Sequence, residues 1–91
     1  MRSLILKAAP RAMAVECSGD ELRVSLTDGR WLSVPIAWFP RLAHATLAER
    51  ANYELLGDGE GIHWPDVDED ISVLGLLAGQ PSVEFKSAYT V

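Results

Sequence analysis

The sequence predicts a small α+β domain in which an antiparallel sheet, a three-stranded meander plus a second hairpin, packs with two or three short helices. Polar and apolar residues alternate in the first third of the chain, and turn residues separate these segments. Helix-capping patterns follow further along. With 91 residues, 48% of them hydrophobic, the chain has the size and apolar content of one domain, 1–91, with a core of about 10–80.

The first three predicted elements are the strands of the meander. The segment 13–17 is an apolar strand that ends at the turn residues 18–20. In 21–26, apolar residues alternate with polar ones, which is typical of a strand with one buried face. The pair Asp28-Gly29 is a strong hairpin signal. The strand that follows, 31–34, ends at Pro35 because proline cannot donate to a ladder.

Two short helices are predicted after the meander. The segment 38–43 indicates a helical turn with Pro40 at an early position, where the missing N–H costs little. Thr46 and Glu49 have the spacing of a capping box, in which each side chain accepts a hydrogen bond from the backbone N–H of the other residue. A second helix is therefore expected to begin at Leu47.

The segment 52–64 allows two interpretations. Helical spacing could continue from Ala51 to Leu55, or two strands, 53–55 and 62–64, could form a hairpin around 57–61. Three glycines within those five residues favour a turn over a helix. We therefore prefer the hairpin.

The acidic run 66–70 has carboxylates at the first, third and fifth places of a calcium loop. Such a loop needs glycine at the next place and an acidic ligand at the twelfth, where this chain has Ile71 and Leu77. A helix start explains the run better, because Asp70 or Ser72 can cap a first turn and the other acids suit its dipole.

We therefore predict a helix over 71–78 that ends at Gly79. Its apolar stripe comprises Ile71, Leu74, Leu77 and Ala78. The tail that follows, 80–91, opens like a loop at Gln80-Pro81-Ser82 and is expected to be either mobile or docked on a partner.

Composition excludes several function classes. The net charge of −5 argues against a nucleic-acid binder that works by bulk electrostatics. Cys17 is alone, so there is no disulfide framework. No apolar run has the length of a membrane span or the form of a signal peptide. We expect a cytoplasmic protein.

A zinc site or a Cys–His nucleophilic pair could be proposed from Cys17, His44 and His63. These residues come singly from three elements, whereas zinc sites usually take two ligands from one tight spacing. Cys17 in a strand is expected to behave as a small hydrophobe, and His63 is expected to be partly exposed. We predict no catalytic, metal or cofactor site.

The residues predicted to contact a partner are tryptophans and arginines. Tryptophan is enriched at the anchor points of interfaces, and Trp38, next to Phe39-Pro40-Arg41, is the strongest of the three. Three arginines would form a small basic face that receives an acidic partner surface. The predicted interaction residues are Arg30, Trp38, Arg41, Arg50 and Trp64.

The ordered motifs over residues 10–80 resemble the bacterial domain-of-unknown-function family numbered 2442 (DUF2442). The motifs are Asp28-Gly29-Arg30, Val34-Pro35, Trp38-Phe39-Pro40-Arg41-Leu42, Ala45-Thr46, Glu49-Arg50, Gly61-Ile62-His63-Trp64-Pro65, Asp68-Glu69-Asp70-Ile71-Ser72 and Leu76-Leu77-Ala78-Gly79. The resemblance implies a small α+β domain with no established enzymatic activity. Some relatives carry an added helix-turn-helix domain. Others are encoded beside a small protein of the family numbered 4160, an arrangement that resembles a toxin–antitoxin pair.

The expected function is therefore a non-enzymatic protein-interaction module, the antitoxin-like partner of a protein encoded next to it. Self-association as a homodimer is also expected, because a chain this small gains by burying more apolar surface. The alternative is a transcriptional regulator or accessory DNA-binding domain, for which Arg23, Arg30, Arg41 and Arg50 would have to lie on one face. Because the net charge of the chain is −5, we do not expect this domain alone to bind nucleic acid.

Overall fold

The computed structural model describes residues 9–85, and within them the α+β fold is confirmed. Two three-stranded antiparallel sheets, ordered β1-β2-β3 and β4-β5-β6, are joined by short helices. The elements are β1 (Ala12–Cys17), β2 (Glu21–Leu26), β3 (Trp31–Pro35), α1 (Pro40–Ala43), α2 (Leu47–Ala51), β4 (Glu54–Leu56), β5 (Gly61–Trp64), β6 (Glu69–Ser72) and α3 (Val73–Leu77). Single 3-10 turns span Ile36–Trp38 and Gly57–Gly59.

The first sheet is the predicted meander. The alternating residues Leu22, Val24 and Leu26 of β2 are buried, so this strand has one core face. Gly29 has a φ of 95°, a left-handed conformation that favours glycine, and its N–H donates to the carbonyl of Leu26 at 3.0 Å. The turn that Asp28-Gly29 predicts is therefore confirmed.

Both predicted helices lie between the sheets: α2 begins at Leu47 as predicted, and α1 begins at Pro40, two residues after the predicted start. Pro40 occupies the first turn of α1. At the start of α2, the Thr46 hydroxyl accepts from the Glu49 N–H at 3.1 Å, and the Glu49 carboxylate accepts from the Thr46 N–H at 2.8 Å. The predicted capping box is confirmed, and α2 ends after five residues, before the second sheet.

The second sheet contains the preferred hairpin and one strand more. The hairpin of β4 and β5 is confirmed, with Leu55 opposite Ile62. The predicted helix start at Ile71 is wrong, because Ile71 pairs with Ile62 in the strand β6. The helix begins only at Val73, and of the two proposed caps it is Ser72 whose side chain accepts from the Gly75 N–H.

The predicted apolar stripe of the last helix is also wrong. Val73 and Leu76 are the buried residues of α3, while Leu74 is 62% exposed. The helix begins two residues later than predicted because Ile71 is already buried as part of β6. The buried positions of the helix are therefore shifted by two residues along the chain. The end is as predicted: Gly79 has a φ of 74°, and the Gln80 N–H donates back to the Gly75 carbonyl at 3.0 Å.

Part of the tail lies against α1 and the 3-10 turn that precedes it. The Ser82 N–H donates to the Trp38 carbonyl at 3.0 Å, and Glu84 forms an ion pair with Arg41 at 3.1 Å. Residues 86–91 of the predicted tail lie outside the described residues, so the expectation of a mobile or partner-docked tail stays a prediction there.

One hydrophobic cluster includes residues of both sheets. Its fully buried members include Leu22, Val24, Leu42, Ile62 and Trp64. No helix in the described part of the chain has the length and apolar content needed to cross a membrane.

Candidate functional site

Two of the five predicted interaction residues lie inside the protein. Trp64 is fully buried, and its indole N–H donates to the Arg50 carbonyl at 3.0 Å. Arg50 is 9% exposed, and its guanidinium donates to the carbonyls of Leu42, Ala43 and Ser18 at 2.8–2.9 Å. Both side chains hold the fold together, so the prediction that they are presented to a partner needs correction.

The other three predicted residues lie in separate local contacts. Arg30 forms an ion pair with Asp28 at 2.8 Å and holds the pKa of that carboxyl below its usual range. Arg41 pairs with Glu84, which raises the pKa of the guanidinium. Trp38 is half-buried against the core. Because Arg50 is buried and the others are paired, the structure does not bring the arginines into one basic face.

The exposed tryptophan of this chain is Trp31. Its side chain is 48% exposed on the outer face of the first sheet, and the Arg23 guanidinium lies 4.7 Å from its ring centroid. Arg23 also forms an ion pair with Glu16 at 3.2 Å. In this cation–π pair the guanidinium covers part of the indole, so the exposed surface at Trp31 is partly polar.

The second sheet has a markedly different outer face. In β5, Ile62 and Trp64 are buried, so Gly61 and His63 lie on the opposite face. Strand pairing arranges this face in two rows. The first row is Leu56, Gly61 and Ser72, and the second row is Glu54, His63 and Asp70.

An open hollow of about 750 Å³ lies over the first row, and we call it the sheet hollow. Gly61 in its floor has no side chain, and a Cβ there would lie 3.8 Å from the Leu56 Cβ. Leu56 is 43% exposed and Leu74 62% exposed. The other lining residues are Ala9, Pro10, Arg11, Glu60, Asp70, Ile71, Ser72 and Val73. The hollow therefore combines apolar walls with carboxylates.

The second row forms an ion pair beside the hollow. The His63 Nδ1 lies 2.5 Å from a carboxylate oxygen of Asp70, and Glu54 faces His63 from β4. The hydrogen bond to Asp70, helped by the charges of Asp70, Glu54 and Asp68, raises the pKa of His63 above its ordinary value. The prediction that His63 is partly exposed is confirmed.

The thiol that might have paired with His63 is elsewhere. Cys17 lies in β1 and packs against the core cluster. Burial raises the pKa of its thiol, which disfavours the nucleophilic thiolate. The partner of the His63 imidazole is Asp70, so the structure gives no support to a Cys–His pair.

The acidic run is distributed among local partners. Asp66 accepts from the Asn52 side chain at 3.0 Å, Asp68 accepts from Arg41 through its carbonyl at 2.7 Å, and Asp70 pairs with His63. Across residues 9–85, no three histidine, cysteine or acidic side chains are grouped in a way that could hold a metal ion.

Comparison with known proteins agrees with this fold. Residues 12–82 match the family described as "Protein of unknown function (DUF2442)". The chain belongs to this family. A protein of unknown function from Rhodospirillum rubrum ATCC 11170, known from its crystal structure, is 29% identical to this DUF2442 chain. The match covers 92% of this chain and 100% of the other, with a TM-score of 0.72.

A second similar structure belongs to an uncharacterized protein from Chromobacterium violaceum, solved by solution NMR. It is 21% identical to this DUF2442 chain, over 81% of this chain and 70% of the other, with a TM-score of 0.68. This second likeness concerns the fold alone. A search of curated proteins found no match.

None of the residues that line the sheet hollow is among the predicted interaction residues. The pattern that could have revealed them is the alternation in β5: with Ile62 and Trp64 inward, Gly61 must face outward. Once β4 pairs so that Leu56 lies opposite Gly61, Leu56 faces outward as well. An exposed leucine beside a glycine in a strand indicates a depression with an apolar wall.

Proposed function

We propose that this DUF2442 protein is a non-enzymatic protein-interaction module that binds a protein partner at the sheet hollow. The observation that carries the proposal is the pair of exposed leucines, Leu56 and Leu74, which line the same hollow as Gly61. Exposed apolar surfaces that are rimmed by polar residues mark interaction sites in soluble proteins. The lining of the hollow supports the same proposal, because binding sites commonly combine apolar walls with a few polar groups.

The DNA-binding alternative gains less support from the same residues. Of the arginines it requires, Arg23 pairs with Glu16, Arg30 pairs with Asp28, and Arg41 pairs with Glu84. Their charge is neutralised locally, and phosphate contacts would have to break these pairs. We therefore retain the protein partner.

The partner to test first is the small protein encoded beside the gene, as the antitoxin-like role implies. The two proteins are co-expressed and applied together to a size-exclusion column at micromolar concentration. We expect one complex that elutes earlier than either protein. Separate elution of the two proteins would refute the proposal for this partner and with it the antitoxin-like role.

A matched pair of variants tests whether the sheet hollow is the binding surface. Leu74 lies in the first turn of α3, and Leu47, 75% exposed, lies in the first turn of α2. An aspartate suits the first turn of a helix, so both L74D and L47D should fold. We expect Leu74→Asp to abolish the complex and Leu47→Asp to preserve it; equal effects would place the interface elsewhere.

A further inference from the structure

We infer that the sheet hollow accepts a basic segment of the partner, in which an apolar side chain is flanked by lysine or arginine. This inference rests on the proposed function and adds the chemistry of the partner. It follows from two features of the same surface, the apolar hollow and the charge that surrounds it.

The hollow provides the place for the apolar side chain. Its floor is open above Gly61, and Leu56, Leu74 and Pro10 line it. A volume of about 750 Å³ lies within the range of pockets that bind drug-sized ligands. The hollow therefore has room for an apolar side chain. The leucines remain exposed without a partner, and covering them removes apolar surface from water.

The second sheet, whose strands border the hollow, is strongly acidic. The stretch 54–72, which forms the whole second sheet, contains no lysine or arginine and seven carboxylates. They are Glu54, Asp58, Glu60, Asp66, Asp68, Glu69 and Asp70. Glu60 and Asp70 line the hollow itself, and Glu54 lies in the neighbouring row. Such a field attracts cations and repels a phosphate or an acidic segment.

A cationic side chain has defined places to bind beside the hollow. Glu60 lies next to Gly61 on the side of β4, and Asp70 lies next to Ser72 on the side of β6. A partner residue seated over Gly61 would therefore lie near the carboxylate of Glu60 and near Asp70, which also holds His63. Among the described residues, Arg11 is the one cationic residue that lines the hollow, and it directly precedes β1.

A second copy of the chain fits this surface less well than a foreign basic segment. Of the arginines in the described part of a second copy, Arg23, Arg30 and Arg41 already form ion pairs within their own subunit. Arg50 is buried, and Arg11 lines that subunit's own hollow. A partner with unpaired lysine or arginine keeps its full charge for the second sheet. Charge complementarity therefore selects the foreign segment.

The test is a titration of the full chain, labelled with ¹⁵N, with two synthetic peptides. Each peptide has two central leucines, flanked on both sides by three lysines in one and by three glutamates in the other. We expect the lysine peptide to shift the amide resonances of Gly61, Ser72 and Leu74. Its affinity should fall several-fold when sodium chloride is raised from about 50 to about 300 mM, because salt screens exposed charges.

A glycine pair supplies the matched control. A Cβ at Gly61 would enter the floor at ordinary contact distances, and a Cβ at Gly19 would meet nothing within 4 Å; neither glycine has a positive φ that forbids a side chain. Gly61→Ala should weaken the lysine peptide several-fold, and Gly19→Ala should leave its affinity unchanged. The double variant Glu54→Gln/Glu60→Gln should flatten the salt dependence.

The possible outcomes separate the two proposals. Equal binding of both peptides, or absence of lysine-peptide shifts at these amides, overturns the basic-segment inference even if the complex with the neighbouring protein forms. Shifts of the same amides with protein concentration alone would assign the hollow to a second copy and also overturn it. Peptide binding that appears only after removal of residues 1–8 would assign the hollow to that segment and likewise overturn it.

Discussion

The indole N–H of Trp64 donates to the backbone carbonyl of Arg50 at 3.0 Å, so the second sheet is tied to α2 through a buried hydrogen bond. The Arg50 side chain extends the same junction to the carbonyls of Leu42, Ala43 and Ser18. Tyr53 continues it, because its ring lies 6.3 Å from Trp64 and its hydroxyl accepts from the Val15 N–H. Trp64 and Arg50, two residue types that are common at protein interfaces, thus connect the two sheets inside this protein.

Replacement of Arg50 by methionine tests this junction. Methionine keeps much of the volume but leaves three carbonyls without the guanidinium donors. We expect the free energy of unfolding to fall by about 3 kcal/mol, since each buried acceptor that loses its partner is costly. Urea denaturation measures the change. Arg30→Met removes an exposed ion pair and should have almost no effect; similar losses in both variants would contradict the structural role of Arg50.

The turn before β5 depends on Gly59. Its φ is 98°, and a Cβ there would lie 2.2 Å from the Ala12 carbonyl oxygen of β1. Because this clash is with the backbone of β1, neither the turn nor the strand can move away at little cost. Gly59→Ala should lower the free energy of unfolding by about 3 kcal/mol, from left-handed strain and overpacking together. Gly19→Ala is the control in thermal melting. A Gly59→Ala variant as stable as that control would refute the close packing of β1 on this turn.

The elements that sequence predicts correctly are determined by neighbours along the chain. Gly29 supplies the left-handed turn residue of one hairpin, and Thr46 and Glu49 bond reciprocally within a single helical turn. Each pattern is complete within four residues, so no knowledge of the fold is needed to interpret it. The second hairpin is similar, because glycines mark its turn.

No local sequence pattern indicates the strand β6 or the sheet hollow, because both depend on how strands pair in the fold. The residues 69–72 include two acids and a serine, which have little preference for strands, and they adopt one because Ile71 pairs with Ile62 in the core. The hollow exists only where Leu56, Gly61 and Leu74 meet. For the same reason, tryptophan and arginine composition could not distinguish the buried Trp64 from the exposed Trp31.

The helix cap provides a direct test of the corrected start of α3. The Ser72 hydroxyl accepts from the Gly75 N–H at 3.2 Å, whereas Asp70 lies in β6. Ser72→Ala should lower the free energy of unfolding by about 1 kcal/mol, which is typical for loss of a cap. Above the titration range of His63, Asp70→Ala should cost less than Ser72→Ala in urea denaturation. The opposite order would restore Asp70 as the cap.

Calcium should not stabilise the native protein. The carboxylates of the acidic run are bound to separate partners, Asp66 to Asn52 and Asp70 to His63, and so do not converge. A ligand that binds only the folded state must raise the melting temperature by mass action. We expect no change in a thermal scan with millimolar calcium. A saturable rise that disappears in Asp68→Ala would instead identify a metal site.

The His63–Asp70 pair predicts a dependence of stability on pH. Asp70 and Glu54 face the imidazole from the two flanking strands, and Asp68 is close enough to add to their field. The hydrogen bond to Asp70 is the main reason that the pKa of His63 is raised in the folded protein. Because the folded protein binds this proton more tightly than the unfolded chain, protonation of His63 stabilises the fold.

The stabilisation should be complete below the unfolded pKa of about 6.5 and disappear as the pH rises through the folded value. Asp70→Asn removes the main cause. The difference in melting temperature between wild type and Asp70→Asn should therefore be larger at about pH 6 than at about pH 9. In NMR titrations, the pKa of His63 should fall toward its ordinary value in Asp70→Asn and fall less in Glu54→Gln, which contributes only through its charge. A stability difference that grows with pH would contradict the pairing.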